Sequence, residues 1–424
     1  MENSKIDLAE IEAKLKKYEQ EHLMFQVNRL EGDRREKFLE EISTINFELI
    51  RNLYNKAGKE EDTSNDEISA IEYLDKYKLN EKYKVYEAIG KKAIKEGKLA
   101  VVTMAGGQGT RLGHKAPKGT YDIGLDSHKS LFEILADDLK REGKKYDVMI
   151  PWFIMTSEEN NKETIEFFKE HKFFGYEKDK NLFFFIQGKL PMVDTEGKIL
   201  IDEKGNIKQA ADGHGGIYDA LVKSKMTEEM RHKDIEWVFI GGVDNCLVKM
   251  VDPVLMGIAI DKKVTVACKS IVKDNPHEKV GVFCKRNGKP NVIEYSEITK
   301  EMAEEVDKNG ELVYGESHIL CNLFNIDAVE RMGASPLPYH VAYKKAKFLD
   351  KEGNLVEPTT PNAYKFEAFL FDAFGIVDEM AVLRVKRQEE FAPVKNSDDI
   401  GVDCPKTARK LYEDFFNIDK ININ

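Results

Sequence analysis

An apolar run that breaks into glycines and is followed at once by cations limits this chain more than any other feature. Residues 99–119 read LAVVTMAGGQGTRLGHKAPKG. The run Leu99–Met104 predicts a buried strand, because it is short, apolar and bounded by turn residues. Gly106, Gly107 and Gly109 let the backbone turn tightly and leave N–H groups open to a ligand. Arg111, Lys115 and Lys118 follow, and such cations neutralise phosphate oxygens. A strand, a glycine loop and cations together point to a nucleoside triphosphate.

Two familiar phosphate motifs fail on spacing. The P-loop requires G-x-x-x-x-G-K-[ST], and no Lys-Ser/Thr pair follows these glycines. The dinucleotide fingerprint requires G-x-G-x-x-G, but Leu112 stands where the third glycine belongs and Gly113 comes one residue late. A plain strand-to-helix turn remains the alternative for the glycines taken alone, and Arg111 with Pro117-Lys118-Gly119 argues against it.

The chain has 424 residues, so two or three units are expected. Its net charge of −11 argues against non-specific binding to nucleic acid or an anionic membrane surface, which needs a basic field. The cysteines (Cys246, Cys268, Cys284, Cys321, Cys404) are scattered without a C-x-x-C. That pattern fits neither a zinc site nor a disulfide framework and predicts reduced, buried thiols. The N-terminus lacks the apolar stretch of a signal peptide, and no run approaches the roughly 18 apolar residues of a membrane span. A cytoplasmic protein is expected.

Three regions follow from texture. Residues 1–98 read as helical, with Ile11, Leu15 and Tyr18 on one face and Phe38, Ile42, Ile45, Leu49 and Leu53 on another. A polar break falls at 58–66, and a further helix is expected to end near Gly97. From 99 to 340, short apolar runs (99–104, 148–155, 182–187, 236–240, 264–269) alternate with amphipathic stretches such as 130–142 and 217–230. This predicts an α/β domain with a doubly wound, mainly parallel sheet. In such sheets ligands bind beyond the carboxyl ends of the strands, where the turns 105–113, Gln187-Gly188 and Gly241–Asn245 fall. Residues 280–285 and 291–295 suggest a hairpin around Asn287-Gly288, with a loop longer than two residues. Leu320–Phe324 suggests one more strand. The segment 339–365, which leads into the third region at 341–424, looks basic and loop-rich, 366–376 form an apolar run, and 404–424 form a short helix.

At AGGQGTRLG-x-x-x-PKG the chain resembles the UDP-sugar pyrophosphorylases, most closely the eukaryotic-type UDP-N-acetylhexosamine pyrophosphorylases. The likeness continues in order through PWFIMTSE (151–158), FFFIQGKLP (183–191), ADGHGGIYDAL (211–221), VDNCLVKMVDP (243–253), PHEKVGVFC (276–284), VIEYSEI (292–298), segments at Asn322 and Lys365, and RQEEFAPVKN (387–396). It covers roughly residues 95 to 410. The resemblance implies a Rossmann-like, nucleotidyltransferase type A fold. It implies reversible transfer of a uridylyl group from UTP to a hexose 1-phosphate, with Mg²⁺ or Mn²⁺ as cofactor. Such a step gathers phosphate charges, so positioning and cations carry it rather than a protein base.

The same resemblance distributes roles. Arg111 and Lys118 are implied as catalytic cations. Met104, Ala105, Gly106, Gly107, Gly109, Lys118, Gln187, Gly213 and Asp244 are implied at the nucleotide, with Gln187 on the uracil edge and Asp244 at the metal. His214, Gly215, Glu294, Tyr295, Asn322 and Lys365 are implied at the sugar and its phosphate. Lys115 has no clear counterpart, and Asn245 serves either the site or the turn. The chain departs from the resemblance at His214-Gly215-Gly216, where N-acetylhexosamine enzymes usually carry Asn-Gly-Gly. This leaves two readings of the sugar open: N-acetylglucosamine 1-phosphate, or else glucose or galactose 1-phosphate. A shortened C-terminal region predicts a monomer. A non-catalytic UDP-sugar-binding protein is the competing class, and intact Arg111, Lys118 and Asp244 speak against it.

Overall fold

The strand Leu99–Met104 is buried at every residue and lies inside the largest sheet of the chain. The computed structural model describes residues 7–57 and 66–422. The polar break read at 58–66 therefore lies, except for Asp66, outside the described residues. Eight strands give the main path: β1 (Leu74–Asp75), β2 (Leu99–Met104), β3 (Trp152–Thr156), β4 (Leu182–Ile186), β5 (Trp237–Gly242), β6 (Val266–Val272), β7 (Glu316–Asn325) and β8 (Ala381–Arg384). Their order is β1-β8-β6-β7-β5-β2-β3-β4. All neighbours are parallel except β7, which is antiparallel to both β6 and β5. The result is a mixed α/β architecture on a large, mainly parallel sheet. Its near-continuous apolar strands match what parallel strands need, since both of their faces are covered.

The expected strands are present, with shifted ends. The run 148–155 starts pairing at Trp152, because Pro151 has no N–H for the ladder. Trp152 is wholly buried, and its indole N–H donates to the Thr103 hydroxyl at 2.8 Å. The strand at 320–324 extends to Glu316–Asn325. The hairpin loop is tighter than expected: Arg286 pairs with Lys289, leaving only Asn287 and Gly288 between them. Both have positive φ, 52° and 77°, as the two-residue turn that matches strand twist requires. The helical stretch 217–230 breaks at Lys225, whose φ of 62° separates Ile217–Lys223 from Met226–His232.

Two compact units emerge, each from three separated stretches. The larger holds Asn65–Gln187, Ile217–Pro336 and Leu370–Asn424, and contains the main sheet. The sequence reading divides at 98 and 340, whereas residues 66–98 contribute β1 and the helix Glu81–Lys95 to this unit. Tyr86 and Ile94 of that helix join its core. Gly97 (φ 73°) closes the helix: its N–H bonds Ile94 O, and the Lys98 N–H bonds Ala93 O. The helix Pro253–Lys262 crosses Glu81–Lys95 in close contact. A Cβ on Gly257 would lie 1.8 Å from Tyr86 O, and one on Gly90 would lie 1.9 Å from Pro253 O.

The smaller unit holds Met1–Ser64, Gly188–Gly216 and Leu337–Phe369. Its helices Leu8–Lys17, Leu23–Arg29, Gly32–Thr44 and Phe47–Lys56 bury Leu15, Leu23, Val27 and Ile42 against Val193, Ile199, Ile207 and Phe366. The periodic stretch 38–53 is two helices, because Asn46 accepts the Leu49 N–H at 3.0 Å and starts a new one. The segment expected to be loop-rich is mostly loop, but short strands interrupt it. His340–Lys344 pairs with Ala363–Glu367, which pairs with Val193–Asp194. Phe348–Leu349 pairs with Leu355–Val356. These strands are short, partly exposed and mixed in polarity, so no apolar run announces them. Among the described residues no helix is long and apolar enough to cross a membrane.

Candidate active site

Within the larger unit, β2 to β5 run in one direction, so their carboxyl ends share one edge of the sheet. The loop after β2 is tied down before it can meet a ligand. The Ala105 N–H bonds Met155 O at 2.7 Å, and the Val243 N–H bonds Met104 O, so Met104 and Ala105 are committed to the sheet edge. The Asn160 amide donates to Ala105 O at 2.9 Å and to Gly107 O at 3.3 Å. The Lys118 N–H also bonds Gly107 O, and the Gly109 N–H bonds Ala116 O, both at 3.1 Å. Of the three glycines, Gly109 therefore spends its N–H closing the loop and cannot offer it to a nucleotide. The N–H groups of Gly106 and Gly107 have no acceptor among the described residues. Gly107 has open space where a side chain would stand.

Side chains gather round this loop. A Cβ on Gly106 would lie 2.6 Å from Gln187 Oε1, so the glutamine amide rests against the bare Gly106 backbone. Arg111 is exposed and makes no ion pair among the described residues. Lys115 is likewise exposed. Lys118 is half-buried, and its ammonium donates to Asp244 Oδ2 at 3.1 Å. Burial alone would raise the Asp244 carboxyl, but Lys118 and Lys395 outweigh it and hold the group below the ordinary carboxylate value. Asp244 is thus an ionised carboxylate, a quarter exposed, just past the end of β5.

Lys395 is the member that sequence reasoning missed. It lines a small cavity with Asp244, His318 and Cys321. The segment before it lies antiparallel along 244–246: the Val394 N–H bonds Asp244 O at 2.8 Å, and the Cys246 N–H bonds Ala392 O at 3.2 Å. Asn245 clamps this ladder. Its amide donates to Glu390 O and accepts the Ala392 N–H, each at 2.8 Å. Asn245 is therefore spent on the turn, one of the two roles left open for it. The available signal was a lone lysine closing the apolar run Ala392-Pro393-Val394.

The remaining candidates divide between the units. Glu294 is half-buried, with Oε1 2.9 Å from where a Gly281 Cβ would stand, and Tyr295 is 51% exposed beside it. Asn322 is fully buried on β7, with His318 Nε2 2.9 Å from its Oδ1 and its amide donating to Ile240 O. In the smaller unit, Gly213 (φ 88°) and Gly215 pack on the backbone of Ala368 and Phe369 so closely that a Cβ would clash, at 2.2 and 2.6 Å. The His214 ring stacks on Phe369 at 5.4 Å, and His340 stacks on the same ring at 4.3 Å. Lys365 pairs with Glu367 at 2.6 Å.

The divalent cation that the resemblance implies needs oxygen donors. No group of three or more His, Cys, Asp or Glu that could hold an ion occurs among the described residues. Mg²⁺ is commonly held by one or two carboxylates while substrate phosphates and water complete its shell. A single ionised, partly exposed Asp244 fits that demand.

Residues 46–411 match the family of UTP–glucose-1-phosphate uridylyltransferase. The chain is 40% identical over 334 residues to UDP-N-acetylhexosamine pyrophosphorylase-like protein 1 of Xenopus tropicalis, covering 77% of this chain and 65% of that protein. It therefore spans just under two thirds of that relative's length. It is 42% identical over 337 residues to the UDP-N-acetylglucosamine pyrophosphorylase of Saccharomyces cerevisiae, covering 77% of this chain and 70% of that one. The crystal structure of the uridine diphosphate N-acetylglucosamine pyrophosphorylase from Trypanosoma brucei, in complex with an inhibitor, superposes with a TM-score of 0.83 at 30% identity. The match covers 97% of this chain and 85% of that one. The resemblance drawn from the glycine loop and its ordered companion blocks holds, and the chain belongs to the UTP–glucose-1-phosphate uridylyltransferase family.

Proposed function

We propose that the chain transfers a uridylyl group reversibly from UTP to N-acetylglucosamine 1-phosphate, giving UDP-N-acetylglucosamine and pyrophosphate. The observation that carries this reading is the meeting of Lys118, Asp244 and Lys395 beside a loop where the Gly106 and Gly107 N–H groups have no acceptor among the described residues. The names of the relatives favour the N-acetylglucosamine substrate. We read the sheet as the doubly wound, Rossmann-like core of the type A nucleotidyltransferases.

In the reaction, a phosphate oxygen of the sugar 1-phosphate forms a bond to the α-phosphorus of UTP. The bond from that phosphorus to the α,β-bridging oxygen breaks, and pyrophosphate leaves with the electron pair. No proton needs to move, so the protein's task is charge and alignment. Gly106 and Gly107 donate N–H bonds to phosphate oxygens. Arg111 holds the departing pyrophosphate with its planar fork, and Lys118 and Lys395 neutralise charge near the α-phosphorus. The Gln187 amide donates and accepts together, as the uracil edge requires. Asp244 would hold Mg²⁺ or Mn²⁺, which when bound neutralises phosphate oxygens as charge builds up. Glu294, Tyr295 and Asn322 are assigned to the sugar. His214, Gly213, Gly215 and Lys365 keep the substrate roles that the resemblance implies.

A second reading keeps this reaction and changes the sugar to glucose or galactose 1-phosphate. His214-Gly215 in place of Asn-Gly favours it. Pyrophosphate release from UTP with a panel of sugar 1-phosphates, with and without Mg²⁺, decides. The proposal expects Mg²⁺-dependent turnover that is fastest with N-acetylglucosamine 1-phosphate. Turnover with glucose 1-phosphate alone would establish the second reading, and no turnover on any sugar would overturn both.

A further inference from the structure

Four charged side chains, three of them buried and Lys76 half-buried, form a network where the 390–394 segment begins, and the reaction above uses none of them. Lys269 on β6 and Glu390 are wholly buried. The Lys269 ammonium donates to Glu390 Oε2 and to Lys249 O at 3.1 Å, and lies 2.9 Å from Asp252 Oδ2. All three of its protons have partners. Lys76 bridges the same two carboxylates, at 2.8 Å to Asp252 and 3.1 Å to Glu390. Asp252 also caps the helix Pro253–Lys262 through the Val254 and Leu255 N–H groups.

Such a network is an unusual way to hold a core together. Well-packed apolar side chains of the same volume often stabilise as much or more, because buried charges carry a large desolvation penalty. Apolar contact is non-directional, however, whereas these bonds fix position. Glu390 is held at both ends. Its carboxylate sits in the lysine pair, and its carbonyl accepts the Asn245 amide. From that fixed point the chain runs along 244–246 and ends at Lys395, next to Asp244.

We propose that Lys269 and Glu390 are positioning residues for the reaction centre: they pin residues 390–394 against 244–246 and so set Lys395 beside Asp244. This rests on the uridylyl-transfer reading for its kinetic consequence and on geometry alone for its structural one. The network touches no substrate and acts through Lys395. A displaced cation costs rate more than substrate affinity, since a shift of about 1 Å in an aligned group can cost on the order of a hundredfold.

Changing one partner strands a buried charge and risks unfolding. The test therefore uses the paired variant Lys269→Met/Glu390→Gln, which leaves Lys76 and Asp252 paired. Three readings are taken on the full chain. Hydrogen exchange at the Ala392 and Val394 amides is expected to accelerate. The kcat for pyrophosphate release is expected to fall by about tenfold to a hundredfold, with the KM for UTP nearly unchanged. Adding Lys395→Ala to the pair is expected to cost little further, although it is costly in the unaltered chain. Unchanged exchange would overturn the proposal, and so would a full additive loss from Lys395→Ala. If the paired variant does not fold, Asn245→Ser loosens the same ladder and enters the same cycle with the same criteria. Absence of turnover in the unaltered chain would count against the transferase reading, while exchange still decides the positioning claim.

Discussion

Arg111 and Lys118 stand a few residues apart in the sequence but in different electrostatic situations, and their variants separate accordingly. Arg111 is exposed and unpaired among the described residues, so removing it leaves the fold alone. Arg111→Ala is expected to lower kcat/KM by about a hundredfold to a thousandfold, as loss of a preorganised charge-stabilising donor does. The melting temperature should stay put, and a fall in both would make the residue structural. Lys118 instead sets the charge on Asp244. In Lys118→Met the carboxyl loses a cation 3.1 Å away, so it moves up toward the ordinary carboxylate value. Carbon-13 NMR should follow Asp244 titrating at higher pH than in the unaltered chain, and an unshifted titration would remove Lys118 from that role. These residues were legible because the glycines and cations that suggest phosphate chemistry lie in one continuous stretch. Lys395 was not, because its meaning comes from Asp244, which reaches it only through the ladder between 244–246 and 390–394. Gly109 was misread in one respect. Sequence shows that glycine frees an N–H, but not that Ala116 O then takes it.

At the scale of elements, close approach and burial decide what can be changed. The helices Glu81–Lys95 and Pro253–Lys262 meet at Gly90 and Gly257, with backbone oxygens less than 2 Å from where a Cβ would stand. Gly257→Ala should therefore cost about 1–3 kcal/mol of stability by forcing the helices apart. Urea unfolding would read this, and an unchanged midpoint would mean the contact is looser. The helix Leu131–Tyr146 carries the opposite case. Burial pushes the Asp138 carboxyl up to about 6, and Arg141 only partly offsets it. A carboxyl raised from about 3.9 when unfolded favours the native state at low pH, and that benefit is lost as pH rises through the folded value. Asp138→Asn should thus stabilise the chain at pH 7 by on the order of 2 kcal/mol, with the gain vanishing below about pH 4. A gain of equal size at both pH values would point to packing instead. The buried parallel strands were readable because their apolar runs are continuous. The strands at 340–344 and 363–367 were not, since they are short and partly exposed and their polar and apolar residues alternate too weakly to stand out.

At the scale of the whole molecule, the chain carries a net charge of −11, while its candidate site gathers the cations Arg111, Lys118 and Lys395. On the proposed reading, phosphate binding comes from local geometry, because the overall field repels anions. The units also show what a linear reading cannot deliver. Each gathers stretches far apart in the chain, and these come together only through tertiary pairing. On the proposed reading, this geometry directs a sugar phosphate at the α-phosphorus of UTP. The most direct measurement uses UTP labelled at the α-phosphorus, incubated with N-acetylglucosamine 1-phosphate, Mg²⁺ and the full chain. The label should pass entirely into a UDP-sugar, with unlabelled pyrophosphate released in equal amount. Label that stays in UTP, or that emerges as free UMP, would contradict the claim.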